Sequence, residues 1–482
     1  MGVFRPPIIR NASVLNRALF SKRYDIAAAR VYDIKKVSEY RKSLEKSGDL
    51  LRQERVSSIV DDPAKDDPAA KGRKCLLLRP GISATAPTSW GEVIRQGAEK
   101  NELSLLPYTL ELDYDYWTAR DVLQSLLPEE FHDDIQSSFN TAGHVAHLNL
   151  RSHFLPYKHV LAQVLVDKNP AIKTVINKID NVGTESEFRT FAYEVLAGPD
   201  DLNVEVREHN CTFKFDYSKV YWNSKLEGEH TRIVKSFQPG EVVCDAMAGI
   251  GPFAVPAGKK GVFVWANDMN PESFHYLQDS ITRNKVRGPD LKQWLLTDGG
   301  TNLGCKVQQY VRPFNDDGRT FIRKAADSVL AASRKGERAV IQQKPKKGSR
   351  SKPQANPPPL EIPVPPTISH FVMNLPASAI TFLPSYKGLY AGEEALFTPH
   401  TSTKLPLVHV HCFAVKSDDD TPKLDICERI TEQLGIEMRL GDAEKDKEVF
   451  VHHVRNVAPA KSMFCATFRI PPEVAFAPRE QL

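Results

Sequence analysis
From about Val220 onward, short apolar runs alternate with helical stretches, and this alternation constrains the fold more than any other feature of the chain. The runs are "EVVCDAM", "GVFVWANDM", "HFVMNL" and "LVHVHCFAV". The helical stretches include "PESFHYLQDSITRNKV" and "PKLDICERITEQLG". Strands separated by helices predict βαβ units, and so an α/β fold with a mostly parallel sheet.

In such sheets ligands bind beyond the carboxyl ends of the strands. The first end is "VCDAMAGIGPF", residues 243–253, where an apolar run closes on Asp245 and turns through Gly249 and Gly251. Glycine there permits positive φ and close approach of a ligand to the backbone. The stretch is not GxGxxG, which weighs against a pyrophosphate. It also lacks the GK[ST] of a nucleoside triphosphate loop. Nineteen residues after Gly249 comes Asp268, at the tip of the second run and followed by Met269. An acid at that spacing is placed to accept hydrogen bonds from ribose hydroxyls. A third tip, "PFNDDGRTF", brings Asp316, Asp317 and Gly318 to where an adenine amino group would lie. Ribose and adenine without pyrophosphate suggest S-adenosylmethionine. The fourth tip carries Asn374 in "MNLP", an amide that donates and accepts at once and suits a base edge; capping of a following helix is the alternative. Glu229 and His230 open a helix just before the sheet, where a first-turn glutamate is favourable to the helix dipole whatever the function.

Charge and cysteine usage narrow the class. The net charge of +4 on 482 residues is compatible with nucleic-acid binding without pointing to it. Seven scattered cysteines with no CxxC pair argue for reduced thiols and against a zinc knuckle. His409 and His411, at alternating strand positions, read as structural and not as a metal pair. No apolar run reaches the roughly 18 residues of a membrane span.

Four segments are expected along the chain. Residues 1–24 hold five basic residues and no acid. They read as a mitochondrial presequence or as a frayed basic terminus. Residues 25–105 form an N-terminal α/β region, with 25–60 expected to be largely helical and "DDPAKDDPAAKGRK" a polar linker. Residues 106–217 form a middle domain, with a helix in "YDYWTARDVLQSLLPEE" and strands in "HVLAQVLVDK" and "KTVINKI". Residues 218–482 carry the sheet, interrupted at about 333–366 by a lysine-, arginine- and proline-rich insertion expected to be disordered.

Taken in order, "HVAHLNLR", "VLVDKNP", "FRTFAYEVLAG", "VYWNSKLEGEH", "CDAMAGIGPF", "NDMNPESF", "NDDGRTF", "MNLP" and "VRNVAP" resemble one family, the archaeal and eukaryotic Rossmann-type tRNA (guanine-37 N1)-methyltransferases. The match extends over some two-thirds of the chain. It implies a Rossmann-like methyltransferase domain preceded by smaller α+β tRNA-binding domains. The implied reaction is methyl transfer from S-adenosylmethionine to guanine N1 beside the anticodon, a first step toward wybutosine in the phenylalanine tRNA.

The resemblance also implies roles. Guanine N1 carries a proton that a base must remove, and Glu229 matches the family's base. A free glutamate is too acidic for that task, so burial is expected to raise its pKa. Arg189, in "FRTF", matches the arginine that meets the charge pushed onto O6. Tyr221 matches an aromatic that positions substrate and cofactor, and Asn374 the group that orients the base. His230, Asp245, Gly249, Gly251, Asp268, Met269, Asp316, Asp317 and Gly318 are the expected cofactor contacts. Arg151, Lys158 and Lys168 are candidate phosphate contacts. A monomer acting on tRNA is expected, in the cytoplasm and mitochondrial matrix and in the nucleus. The rival readings are an aminocarboxypropyl transferase of wybutosine synthesis and a non-catalytic tRNA-binding module.

Overall fold
The computed structural model describes residues 4–10, 12–64, 72–135, 139–179, 192–284, 303–304, 310–343, 358–399 and 405–479. It divides into two compact units. The first comprises Met1–Phe139, Leu148–Asn177 and Val195–Pro199; the second comprises Asn140–His147, Lys178–Glu194 and Asp200–Leu482.

The first unit begins with β1 (Lys22–Val31), α1 (Val37–Ser47), β2 (Ile59–Asp61), β3 (Lys74–Leu77), α2 (Glu92–Glu99), β4 (Leu103–Leu112) and α3 (Ala119–Leu126). Its antiparallel sheet runs β2-β3-β1-β4. Only α1 answers to the helix expected over 25–60. "IAAARV" is instead a central strand, because both of its faces are covered. Ile26 and Ala28 enter one apolar cluster, and Ala27, Ala29 and Val31 the other. A run buried on both faces lacks the period-2 signature that identifies a strand. The boundary expected at 105/106 falls inside β4, which pairs with β1 from Lys22↔Leu112 to Val31↔Leu103. Asp61 pairs with Lys74, so both ends of the expected linker lie in this sheet; residues 65–71 are outside the described residues.

Residues 4–20 also belong to this packing. Phe20 is fully buried among Tyr114, Trp117 and Leu126, and Trp117 Nε1 donates to its carbonyl at 2.9 Å. Arg10 donates to the Leu127 carbonyl at 2.8 Å and pairs with Glu129. Arg17 grips both oxygens of Asp167 at 2.8 Å.

Further along come the hairpin β5 (Asn140–Ala142) and β6 (Val145–Leu148), α4 (Lys158–Lys168), β7 (Thr174–Lys178) and β8 (Tyr193–Ala197). The sequence reading of 159–168 as a strand is corrected here. Three consecutive positions, Val160, Leu161 and Ala162, are buried on a helix, and an apolar run of this length carries no periodicity to separate the two.

The second unit continues with the hairpin β9 (Asn203–Glu208) and β10 (Cys211–Asp216), α5 (Glu227–Ser236), β11 (Val242–Asp245), α6 (Ala254–Lys259), β12 (Phe263–Asn267), α7 (Pro271–Arg283), β13 (Leu303–Gly304), β14 (Val311–Phe314), α8 (Gly318–Arg334), β15 (Arg338–Gln343), β16 (Leu360–Pro363), β17 (His370–Met373) and β18 (Leu407–Val415). After the helix Thr421–Leu434 follow β19 (Arg439–Leu440), β20 (Glu448–Ala458) and β21 (Lys461–Arg469). The large sheet runs β14-β12-β11-β17-β18-β21-β20-β19. The first five strands are parallel, and β21 enters antiparallel between β18 and β20. β11, β12 and β17 are buried at every position. The chain moves outward from β11 to β12 and β14, then returns to the other side of β11 at β17. That reversal opens the crevice in which doubly wound sheets hold their ligands.

The expected insertion is shorter than 333–366. α8 runs to Arg334, and β15 pairs with β16 from Arg338↔Pro363 to Ile341↔Leu360. Ala339 and Val364 reach the main core and tie the ribbon down. Residues 344–357 lie outside the described residues.

Candidate functional site
A cavity opens at the carboxyl ends of β11, β12, β14 and β17, at the reversal point. Of the residues singled out in the sequence, Tyr221, His230, Gly249, Asp268, Met269, Asp317, Gly318 and Asn374 line it. Asp245, Gly251, Asp316 and Glu229 do not line it, and Arg189 lies outside the described residues.

The two glycines do different work. Gly249 has φ +55°, its N–H donates to Asp268 Oδ2 at 2.8 Å, and nothing lies within 4 Å of where a Cβ would stand. The backbone is therefore bare toward the cavity. Gly251 has φ +97°, and a Cβ there would meet Leu277 and Val255 at 2.8 Å. Gly251 thus lets the turn close against α6 and α7. Asp268 also accepts from the Asn270 N–H at 3.0 Å, so its carboxylate is oriented by backbone on both oxygens. Burial pushes its pKa up, against those two backbone hydrogen bonds. Met269 is 40% exposed beside it, an apolar face suited to a flat ring.

Asp245 is fully buried behind the turn. Burial first, and Asp268 second, raise its carboxyl to about 8. It stands beneath the turn and does not line the cavity. Asp316 points away from the cavity and pairs with Lys324 at 2.6 Å, leaving Asp317 and Gly318 at the rim. His230 is buried against Glu208 and packs edge-on to Phe253 at 4.8 Å, with one face toward the cavity.

Asn374 ends β17. Its Oδ1 is buried and has no hydrogen-bond partner among the described residues. A buried acceptor left unmade costs about 1–3 kcal/mol, so a donor from outside the chain fits here.

Glu229 departs most from expectation. It is buried, and its pKa moves down to about 2 instead of up. Burial alone would raise it, but hydrogen bonds from Arg232 and His411 outweigh that. Arg232 donates from Nε at 2.7 Å and from Nη2 at 2.8 Å, and His411 Nε2 stands 2.8 Å from Oε1. His411 is thus more than a core histidine. Cys465 lies beside it, with the three donor atoms of Glu229, His411 and Cys465 within 4.8 Å of one another. The Arg232 guanidinium already occupies the carboxylate. His409 keeps a structural place, between His370 and Thr467 at 3.0 Å each.

Several residues of the site escaped the sequence reading. Asn267 binds three strand tips together: its amide donates to the Ala246 and Asp316 carbonyls, and its Oδ1 accepts from Asp316 N–H. Trp222, Ser273, Arg319 and Phe382 also line the cavity, with Arg319 stacked on Phe382 at 3.8 Å. Asn267 was findable as the last residue of an apolar run; Phe382, on a different connection, carried no signal.

Comparison with known proteins decides the family. A curated tRNA (guanine(37)-N(1))-methyltransferase of Neurospora crassa is 59% identical over 99% of this chain and 96% of its own length. The chain belongs to the tRNA (guanine(37)-N(1))-methyltransferases. The relative from Schizosaccharomyces pombe is 42% identical over 98% of this chain and 96% of its own. Residues 204–331 match the TRM5/TYW2 methyltransferase domain, and 119–201 the TYW2 N-terminal domain. Among solved structures, Trm5b of Pyrococcus abyssi aligns over 92% of this chain and 99% of its own, with TM-score 0.53 and 20% identity. A Trm5 solved in complex with a leucine tRNA aligns over the same shares with TM-score 0.55 and 16% identity. At those identities they bear out the Rossmann-like fold.

Proposed function
We propose that this chain transfers a methyl group from S-adenosylmethionine to N1 of guanosine 37 in tRNA. The observation that carries the reading is the cavity at the reversal of the sheet. It joins a bare glycine turn and an oriented Asp268 to the unpartnered Asn374 Oδ1. The family supplies the target, since the curated relatives are named for that guanine.

The residues fit the donor. Gly249 leaves backbone open, Asp268 faces ribose hydroxyls, and Met269 and Asp317 lie where adenine would sit. When bound, S-adenosylmethionine supplies a methyl group on a positively charged sulphur. The protein must then orient guanine and take the N1 proton. Asn374 Oδ1 suits a donor on the base edge, Tyr221 sets the cavity wall, and Glu229 is the proton acceptor. Arg189 meets the charge that develops on O6. A base in a duplex stack is out of reach, so the target nucleotide is flipped out.

The chain acts as a monomer on tRNA, in the cytoplasm, the mitochondrial matrix and the nucleus. No helix among the described residues is long and apolar enough to cross a membrane.

The test is to incubate the protein with tRNA and cofactor labelled separately in its methyl and its aminocarboxypropyl group, then map the product by mass spectrometry. Methyl label at N1 of guanosine 37 is the expected result. Aminocarboxypropyl label favours the rival transferase, and no label favours an inert binder. Glu229→Gln should slow single-turnover transfer by about 100-fold or more, the scale of general-base catalysis. An unchanged rate removes Glu229 from that role.

A further inference from the structure
Glu229 is in an awkward state for a base. Its oxygens accept three hydrogen bonds from two cationic partners, and a carboxylate so held has little affinity for a proton. The arrangement around His411 shows where the proton can go. His411 Nδ1 faces the Met373 carbonyl at 3.3 Å. A carbonyl only accepts, so Nδ1 carries its hydrogen and Nε2 is the nitrogen that exchanges a proton. Nε2 is aimed at Glu229 Oε1, at 2.8 Å, across a fully buried contact.

We propose that His411 is a positioning residue that takes the guanine N1 proton over from Glu229. This rests on the functional reading above. The N1–H bond breaks and its proton passes through Glu229 Oε1 to His411 Nε2. The freed N1 pair forms the new N–C bond, while the methyl C–S pair stays on sulphur as a thioether. His411 gives the proton up to solvent before the next transfer. Met373 immediately precedes Asn374, so one strand end both fixes the His411 tautomer and presents the base-orienting amide.

Sheet register builds the acceptor. His411 on β18 and His452 on β20 both lie opposite Cys465 on β21, in one row across three strands. The groups facing the pair are Arg232 from α5, Cys465 from β21, His452 from β20 at 3.9 Å from Oε2, His409 on the same strand and Asp245 at the tip of β11. Burial disfavours charge on His411, but Cys465 and Glu229 outweigh it and raise it to about 10. The free enzyme therefore holds the imidazolium, which must lose its proton before it can accept another.

The experiment is single-turnover methyl transfer with saturating S-adenosylmethionine and a tRNA transcript, from pH 6 to 9.5, for wild type, His411→Gln and His411→Asn. The wild-type rate should climb with pH as His411 becomes an acceptor. At the alkaline end both variants should be at least tenfold slower, with KM for tRNA and affinity for S-adenosylmethionine within twofold. The ratio of wild-type to variant rate should rise with pH, and in that ratio the ionisation of guanine itself cancels. A ratio flat with pH, or a loss confined to KM, overturns the proposal. Should both variants unfold, the 15N shifts of His411 in the wild-type chain decide. Titration at Nε2 with Nδ1 protonated throughout supports it, and the opposite tautomer overturns it. Wild-type protein that leaves guanosine 37 unmodified overturns this proposal together with the functional reading. A methylating wild type with a flat ratio removes only the role of His411.

Discussion

Arg232 holds both oxygens of Glu229 one turn back on the same helix, from Nε at 2.7 Å and Nη2 at 2.8 Å. The carboxylate is almost wholly buried while the guanidinium is partly open, with side-chain exposures of 2% and 31%. Removing the arginine leaves a buried charge with fewer partners. Arg232→Ala should cost on the order of 3 kcal/mol in urea unfolding. The Glu229 carboxyl should also rise, because the Arg232 hydrogen bonds are the largest factor lowering it. A variant as stable as wild type would mean that His411 alone satisfies Glu229.

The two glycines of the cofactor turn should part company under mutation. Gly251→Ala forces contacts at 2.8 Å with Val255 and Leu277 at φ +97°, whereas Gly249→Ala meets open space at φ +55°. The second change carries mainly the left-handed backbone cost, about 1–2 kcal/mol. Calorimetric melting should show the larger loss for Gly251→Ala. Binding of S-adenosylmethionine should be impaired in Gly249→Ala beyond what its smaller loss in melting explains, since there the new methyl group points into the cavity.

Asp245 makes the stability of the free enzyme fall as pH rises from about 4 to about 8. Its folded pKa, about 8, lies above the roughly 3.9 of an unfolded aspartate. The native state therefore binds the extra proton between those values. Its stability contribution is complete below about pH 4 and is lost as pH rises through 8. Asp245→Asn removes this dependence. Urea midpoints should show the variant gaining on wild type steadily from pH 4 to pH 8. A constant difference would place Asp245 in a more polar setting than the fold shows.

Phe20 tests whether the basic N-terminal segment is part of the first unit. It is fully buried and its carbonyl accepts from Trp117 Nε1. Phe20→Ala should cost about 3 kcal/mol, as for other buried aromatics. Deletion of residues 1–24 should cost more, because it also removes Arg10 and Arg17 and the start of β1. If protein recovered from mitochondria begins after residue 24 and melts like the full chain, this segment is dispensable to the fold.

The parallel sheet and its glycine turn were readable because each strand is short, apolar and ends on a polar residue, and Asp268 and Asp317 followed from those ends. "IAAARV" and "HVLAQVLVDK" were misread in opposite directions for one reason. The first is nearly all apolar and the second has its apolar residues in unbroken groups, so no period distinguishes helix from strand, and which positions are buried was decided by elements far along the chain. The sign of the Glu229 shift was hidden as well. Its burial was expected only from the base role that the resemblance implied. Its partner His411 lies 182 residues away and is brought in only by the β17–β18 pairing. Arg232, three residues on, was in plain view, and the spacing alone could have warned that the acid would be paired.

The row of His411, Cys465 and His452 has a consequence for synthesis of the protein. Glu229 emerges from the ribosome with the glycine turn close behind it, yet the strand that joins β18 to β20 spans Lys461–Arg469, more than 200 residues later. A nascent chain can complete its donor pocket while its acid still lacks the row of side chains that holds it. Chains interrupted before β21 would thus carry the cofactor turn without a finished proton acceptor.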